Sequence, residues 1–247
     1  MKGTFSRAVL LLAGLFAAGA ALSTPVFIKE TGLANGMATG GLLLPIYPRP
    51  LNFWAGLQTL TINDTREVLA FCVDPWEWSS STNQAYTTNN LYTIFGRAKA
   101  GFISELYSES YGSTLQAGAA GNINAAAFQL ALWEIITDEN PNMTGLQSSF
   151  ADGLVQKTGS TDTSIVQTAT AMLGRIDGVY GHERYGFALY TSGKSLGQGQ
   201  TGGYQDFLVA NRIPEPGAFS LMLGALGGMG LLGWRLRVMA GDTRAKR

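Results

Sequence analysis

The sequence predicts one exported α+β domain, in which a helical block is inserted between β-strands, with an N-terminal signal peptide and one C-terminal transmembrane helix. Four segments combine apolar residues with β-formers: Leu51–Ile62, Val68–Val73, Tyr185–Tyr190 and Tyr204–Ala210. Three segments lying between them place apolar residues at helical spacing: Leu91–Tyr107, Ala125–Thr137 and Ser164–Val179. Strands, then helices, then strands again is the order of an α+β fold.

The predicted strands at the front of the domain are bounded by turn signals. Leu51–Ile62 alternates apolar and polar residues and is followed by Asn63-Asp64. Val68–Val73 is a short apolar run, typical of a buried strand, and it ends before Asp74-Pro75. Residues 24–50 are rich in Gly and Pro, so we expect a loosely structured lead-in with one short strand. The globular domain is therefore expected over residues 51–212.

Each predicted helix has one apolar face. These positions are Ile94, Ala98, Phe102 and Leu106 in the first helix, and Ile165, Ala169, Met172 and Ile176 in the third. In the middle helix, Asn124 suits the N-cap, because its side chain can accept a hydrogen bond from the first free backbone amides. We expect this helix to stop near Asp138.

Residues 1–23 have the three parts of a secretory signal peptide. Lys2 and Arg7 supply positive charge, and an apolar run extends from Ala8 to Leu22. Small residues that suit signal peptidase follow at Ala18, Ala20, Ala21 and Ser23. The alternative is a permanent anchor, but the run is short for a bilayer span, which needs roughly 20 apolar residues.

The other end of the chain has the features of a membrane anchor. Residues 217–234 contain no charge, and eighteen apolar or small residues are just enough to cross the hydrocarbon core. A basic cluster with one acidic residue, Asp242, follows: Arg235, Arg237, Arg244, Lys246 and Arg247. Such a cluster stays on the cytoplasmic side, so the body of the protein is expected outside the membrane.

Immediately before the apolar segment stands Pro214-Glu215-Pro216. This motif, the transmembrane segment and the basic cluster together resemble a PEP-CTERM sorting domain over residues 213–247, although Asp242 and a longish tail depart mildly from the pattern. The resemblance implies an exosortase-type membrane protease as partner. It also implies transient residence in the inner membrane of a Gram-negative bacterium, followed by transfer to the cell surface or an exopolysaccharide matrix. A plain tail anchor behind a proline linker is the alternative reading.

Composition excludes several classes of function. Between Thr24 and Arg212 there are ten Lys or Arg and fifteen Asp or Glu, a net charge of about −5, which gives no indication of nucleic-acid binding. The single cysteine, Cys72, cannot form an internal disulfide. The single histidine, His182, is expected in a surface turn. With one histidine, neither a metal cluster nor a nucleophile–base–orienter set can be assembled, so we expect no enzyme and no cofactor.

Two short motifs contain the residues with distinctive chemistry. The first is Phe71-Cys72-Val73-Asp74, and the second, in a predicted helix, is Phe128-Gln129-Leu130-Ala131-Leu132-Trp133. Together they resemble the Cys-Gln thioester (TQxA-type) domains of bacterial surface adhesins. The departures are a shorter interval between Cys and Gln, and Phe128 where those domains usually have Thr.

The resemblance implies an internal thioester between the Cys72 thiol and the Gln129 side chain, which an amine or hydroxyl of a surface or matrix partner can open. Phe71, Phe128 and Trp133 would be pocket walls, and Trp133 lies one turn from Gln129 on the same helix face. Such a bond needs a site that excludes water. The alternative is an ordinary amphipathic helix and an inert buried Cys72.

Two functions remain open from the sequence. The first is a covalent adhesin of the cell surface or exopolysaccharide matrix, sorted by its C-terminal tail. The second is a non-covalent structural or carbohydrate-binding component of the matrix. In that case Trp76 and Trp78, with Phe71, would form either core contacts or a surface on which sugars stack.

Overall fold

A computed structural model describes residues 25–44, 49–137, 150–151, 153–178, 184–192 and 203–213. The leader, the Pro-Glu-Pro motif with the apolar segment 217–234, Asp138 and His182 lie outside these residues. In the described part of the chain, no helix combines the length and the apolar character that a membrane crossing requires.

The described residues form seven β-strands and three α-helices. In chain order they are β1 (Val26–Leu43), β2 (Leu51–Ile62), β3 (Arg66–Cys72), β4 (Gln84–Asn89), α1 (Leu91–Thr114), α2 (Gly118–Thr137), β5 (Gln156–Lys157), α3 (Thr163–Leu173), β6 (Tyr185–Thr191) and β7 (Phe207–Arg212). The predicted order of strands, helices and strands is present. The predicted strand Tyr204–Ala210 is β7, which begins three residues later and ends two residues later than predicted.

The strands pair in the order β2-β3-β7-β6-β4-β1-β5, and every pairing is antiparallel. Strand β1 also pairs with β2, so six strands close into a ring from which only β5 projects. A core cluster drawn only from these six strands fills the ring: Ile28, Leu60, Ile62, Ala70, Tyr86, Tyr190, Phe207 and Val209. A larger cluster packs α2 against β1 and β2 and α1 against β6, and α3 packs on the other two helices.

Strand β1 differs from the expected lead-in. Residues 26–43 form an 18-residue strand rather than a loose segment with one short strand. Its glycines, which suggested a loop, instead allow the backbone to bend through three register shifts against β2. Gly36 and Gly56 face each other in the ladder with φ of 143° and 154°. A Cβ on Gly56 would lie 2.2 Å from the Asn35 carbonyl oxygen, so only glycine fits.

The helices occur where predicted, with different ends. Helix α1 runs past Tyr107 to Thr114 and kinks at Gly96, whose φ is 75°. Helix α2 starts at Gly118, so Asn124 is not its N-cap; its side chain donates to the Ser113 carbonyl instead. Helix α3 is capped by Asp162 and ends at Leu173, before Gly174 rather than near residue 179. Tertiary packing extends the first two helices beyond the limits that local signals set.

Two strands have no clear signal in the sequence. Strand β4 is mostly polar, and only Tyr86 and a few partly covered side chains face the ring. Strand β5 has two residues, which pair with Leu42 and Leu43. Both are strands because longer neighbours pair with them, which is a long-range effect.

We predict that Gly56→Ala lowers the free energy of unfolding by at least about 2 kcal/mol, because the new methyl group adds a backbone clash to an unfavourable φ. Urea denaturation measures this change. Gly32→Ala is the matched control, because Gly32 has a similar φ of 155° but nothing within 4 Å of its Cβ position. Equal losses in the two variants would show that the close approach of β1 and β2 is not what requires glycine.

Candidate functional site

Gln129 is a polar residue in the middle of a helix buried on all sides. Every residue of α2 from Ala125 to Ile135 is buried, and Gln129 is 1% exposed. A helix that is covered all round lies at the centre of its domain, and α2 contacts α1, α3, β1 and β2. Leaving a buried carboxamide without partners costs about 1–3 kcal/mol, so Gln129 needs hydrogen-bonding groups within the core.

The backbone of Cys72 supplies both partners. Gln129 Oε1 accepts a hydrogen bond from the Cys72 backbone N–H at 3.0 Å, and Gln129 Nε2 donates to the Cys72 carbonyl oxygen at 2.6 Å. The donor and acceptor of one residue thus fix the orientation of the side-chain amide. The two residues are 57 positions apart in sequence, and this contact places the Gln129 carboxamide directly against Cys72.

The strand pairing explains why the Cys72 backbone is available. Strands β2 and β3 pair as far as Gln58 and Ala70, whereas β3 and β7 pair as far as Cys72 and Phe207. On the side where β2 has ended, the N–H and C=O of Cys72 face helix α2 instead of a strand. The Gln129 amide therefore continues the hydrogen-bonding ladder by one residue.

The Cys72 thiol is buried and uncharged. Its side chain is 1% exposed, and Sγ donates to the Asp74 carbonyl oxygen at 3.0 Å. Burial raises the pKa of the thiol well above its usual range, and the neighbouring Asp74 carboxylate raises it further. The thiolate is the reactive form of cysteine, so this thiol is shielded from reagents in solution.

Trp133 links the thiol to the surface. Its ring packs edge-on against Phe53 with centroids 6.1 Å apart. The indole N–H faces Cys72 Sγ and lowers the pKa of the thiol, yet it makes no hydrogen bond of normal length with any described residue. Gln129 and Trp133 were predicted to share one face of the helix. In the structure both side chains adjoin Cys72, in agreement with that prediction.

Two carboxyl groups, Asp74 and Asp206, lie near the thiol, and Glu77 lies near both of them. Asp74 belongs to the first sequence motif, whereas no motif indicated Asp206 or Glu77. Burial raises the pKa of Asp74 to about 6 and that of Asp206 to about 7, and the charge of Glu77 raises both. Asp206 Oδ1 accepts from the Ser192 N–H at 2.7 Å, and the Asp206 carbonyl accepts from the Val73 N–H at 3.0 Å. Asp206 immediately precedes β7, so the pairing of β7 with β3 brings it here.

The predicted aromatic residues have different positions. Phe71 and Phe128 pack against each other in the core with ring centroids 4.5 Å apart, and both are 0% exposed. They support the Cys72 and Gln129 backbones and line neither of the two clefts described below. Trp76 is buried and Trp78 is 67% exposed, so Phe71, Trp76 and Trp78 do not form one surface. Among the described residues, no group of His, Cys, Asp or Glu has the geometry of a metal site.

Two clefts flank the segment that follows Cys72. One, of about 300 Å³, is lined by Val73, Asp74, Trp76 and Lys99 among others. The other, of about 340 Å³, lies on the opposite side and includes Trp54, Gln58, Trp78 and Trp133. We call the second the tryptophan cleft. It adjoins the Cys72 thiol through the ring of Trp133.

Comparison with known proteins gives one distant likeness. No family model matches the chain, and no curated protein matches it. The structure is similar to the N-terminal thioester domain of fibronectin-binding protein SfbI from Streptococcus pyogenes, with a TM-score of 0.41 and 13% sequence identity. The likeness covers 79% of this chain and 97% of that chain. Because these values are low, the comparison does not establish the chemistry of the site, which rests on the geometry of the site itself.

The raised carboxyl pKa values predict how stability depends on pH. The pKa of Asp206 rises from an ordinary 3.8 to about 7 in the folded protein, so the folded state holds a proton that the unfolded state has released. Stability is therefore fully present near pH 4 and is lost as pH rises towards 7. We expect Asp206→Asn to reduce this loss by on the order of 2–4 kcal/mol, measured by urea denaturation at pH 4 and pH 8.

Asp162→Asn is the control for that measurement. Asp162 caps α3 at the surface, the Ser164 hydroxyl lowers its pKa, and asparagine is also a good N-cap. This variant should keep the full loss of stability between pH 4 and 8. A pH profile that Asp206→Asn leaves unchanged would contradict a buried, protonated Asp206.

Proposed function

We propose that Cys72 and Gln129 form an internal thioester, and that the protein is a covalent adhesin of the bacterial cell surface or exopolysaccharide matrix. The observation that supports this most directly is the pair of hydrogen bonds that hold the Gln129 carboxamide against Cys72. An ordinary buried glutamine needs hydrogen-bond partners, but these partners belong to the chain's single cysteine.

Bond formation requires no cofactor. The Cys72 sulfur attacks Gln129 Cδ, the Cδ–Nε2 bond breaks, and ammonia leaves with the proton that the thiol gives up. The Cys72 N–H already donates to Gln129 Oε1, so it is placed to stabilise negative charge on that oxygen during attack. Because Trp133 N–H faces the sulfur, it is placed to stabilise developing thiolate charge.

The protons have nearby acceptors. Asp74 and Asp206 have pKa values of about 6 and about 7, so each exchanges a proton readily near neutral pH. Either group is suited to take the thiol proton and return it to the departing nitrogen. We assign these carboxyl groups to proton transfer and Cys72 and Gln129 to the bond itself.

When a partner is captured, the Cys72 sulfur becomes the leaving group. An amine or hydroxyl attacks the thioester carbonyl, the C–S bond breaks, and the nucleophile's proton restores the Cys72 thiol. The partner is then attached to the Gln129 acyl group through an amide or an ester. Cys72 and Gln129 are each 1% exposed, and this burial protects the bond from water before a partner arrives.

We also propose that the chain is exported, held briefly in the inner membrane and released by an exosortase-type protease. The support is in the sequence: the leader over residues 1–23, Pro214-Glu215-Pro216, the uncharged segment 217–234 and the basic end. From the sequence we expect the two prolines to disfavour a helix at the motif, and a protease acts on backbone that is not helical. The reactive acyl group belongs to the exported body of the protein. We therefore expect its partners outside the cell.

The intact mass of the purified full chain tests the thioester. We expect a mass lower by one ammonia than the processed sequence requires, because the Cδ–Nε2 bond has broken. Incubation with methylamine should then add one methylamine, located on Gln129 by peptide mapping, and free the thiol of Cys72.

Two variants are the controls for that measurement. Cys72→Ala removes the sulfur but keeps the backbone N–H and C=O that bind Gln129, so it should fold and show neither ammonia loss nor methylamine uptake. Gln129→Glu retains the shape of the side chain without an amide to displace and should behave in the same way. A wild-type chain that has the full mass of the processed sequence and takes up no methylamine would contradict the covalent proposal. That result would favour a passive matrix role.

Sorting is tested by replacing Pro214, Glu215 and Pro216 with alanine in a host that contains an exosortase. We expect the wild-type body in the surface or matrix fraction and the triple variant retained in the membrane fraction, as judged by immunoblotting. Deleting residues 235–247 instead should also impair sorting, because the basic end would be lost. Equal release of wild type and triple variant would refute a role for the motif.

A further inference from the structure

The tryptophan cleft exposes two large aromatic side chains next to the thiol. Trp54, from β2, is 71% exposed, and Trp78, from the segment after β3, is 67% exposed. Their rings are held on a sheet and a tight loop while most of their apolar surface faces solvent. Exposed rigid aromatic surface beside a concave site is typical of a place where a ligand packs.

Beneath these rings, a chain of amides orients one buried acceptor. Gln205 Nε2 donates to the Glu77 carbonyl at 3.3 Å, and Gln58 Nε2 donates to Gln205 Oε1 at 3.1 Å. Because Gln205 Nε2 is the donor to Glu77, Gln205 Oε1 must be the acceptor towards Gln58. The Gln58 atom that faces it is therefore the amide nitrogen. Gln58 Oε1 then remains buried without a hydrogen-bond partner among the described residues, in a side chain that is 7% exposed.

The same cleft also contains a buried hydrogen-bond donor. Trp133 is 3% exposed, and its Nε1–H, although it faces Cys72 Sγ, makes no hydrogen bond of normal length in the described part of the chain. Nearly all buried polar atoms in proteins are satisfied, so two unsatisfied ones in the lining of one cleft point to a ligand. That ligand must offer one donor and one acceptor.

Hydrogen-bonding capacity distinguishes the possible ligands. A hydroxyl both donates and accepts, so it can satisfy Gln58 Oε1 and Trp133 Nε1–H. An ammonium group has three donors and no acceptor, so it leaves the indole N–H unsatisfied. A carboxylate or sulfate has no donor for Gln58, and Glu30 and Glu77 in the lining would repel it. A polymer rich in neutral hydroxyls fits all of these groups.

We propose that the tryptophan cleft is a binding subsite for a neutral polysaccharide. The apolar faces of successive sugar rings pack on Trp54 and Trp78, and one sugar hydroxyl reaches the Gln58 and Trp133 end. The covalent part of this idea rests on the proposed thioester: the hydroxyl oxygen attacks the Gln129 acyl carbon, the C–S bond breaks, the proton passes to Cys72, and a sugar ester forms. Binding itself does not require the thioester.

Binding is tested on the full chain carrying Cys72→Ala, so that no covalent product forms. The probes are cellohexaose, xylohexaose, mannohexaose and chitohexaose, measured by isothermal titration calorimetry, with an oligogalacturonate and a lysine-containing peptide as comparison ligands. We expect at least one neutral hexamer to bind. Adding Trp54→Ala or Trp78→Ala should weaken it at least tenfold, and Gln58→Leu should weaken it as well.

Phe27→Ala is the matched control, because Phe27 is an exposed aromatic residue, at 48%, outside the cleft. It should leave binding unchanged. The proposal is overturned if no neutral hexamer binds or if the Trp variants have no effect. It is also overturned if only the lysine peptide binds through the two tryptophans, which would make the partner a protein.

The mass of the wild-type chain separates the two proposals. If the chain gains the mass of the bound hexamer through a base-labile ester at Gln129, both are supported. Sugar binding to a chain that has lost no ammonia would refute the thioester but support the cleft. Loss of ammonia without sugar binding would refute the cleft and support the thioester.

Discussion

The contact between the Gln129 carboxamide and the Cys72 backbone fixes how the helices sit on the sheet. Helix α2 is buried on every side between Ala125 and Ile135, and close packing already restricts its movement. Two directional hydrogen bonds to a single backbone residue add a fixed rotation and register relative to β3. The same contact requires β2 to separate from β3 before Cys72, because a paired strand would already have taken both backbone groups. Sheet pairing, helix orientation and the chemistry of the site are thus determined together.

The electrostatics of the site follow from this burial. A thiol and two carboxyl groups lie where water is largely absent, and each has a raised pKa for that reason. The protein therefore keeps a weakly acidic thiol beside groups that exchange protons near neutral pH. Cys72 belongs to the large apolar cluster on the helix side, and the burial of apolar surface in the two clusters offsets the cost of burying these groups.

The sequence predicted the parts of this structure that depend on neighbouring residues. Strands β2 and β3 and the three helices followed from periodicity, and the proximity of Cys72 and Gln129 was expected from the resemblance that two short motifs carry. Strand β1 was missed because its glycines indicate loops until a partner such as Gly56 is known. Strand pairing between segments far apart in sequence brings Asp206, Gln58 and Trp54 to the site. No local sequence pattern indicates such pairing. Phe71 and Phe128 were expected at the site and lie behind it, since a motif fixes proximity but not direction.

The closed ring has a consequence for the proposed location on a surface or in a matrix. Unpaired strand edges are templates on which other chains can add strands and aggregate, and the danger grows with local concentration. Each of the six ring strands has a neighbour on both sides over part of its length, and the two-residue β5 is too short to act as such a template. The parts of the ring that are paired on both sides therefore offer no free backbone edge to a second molecule.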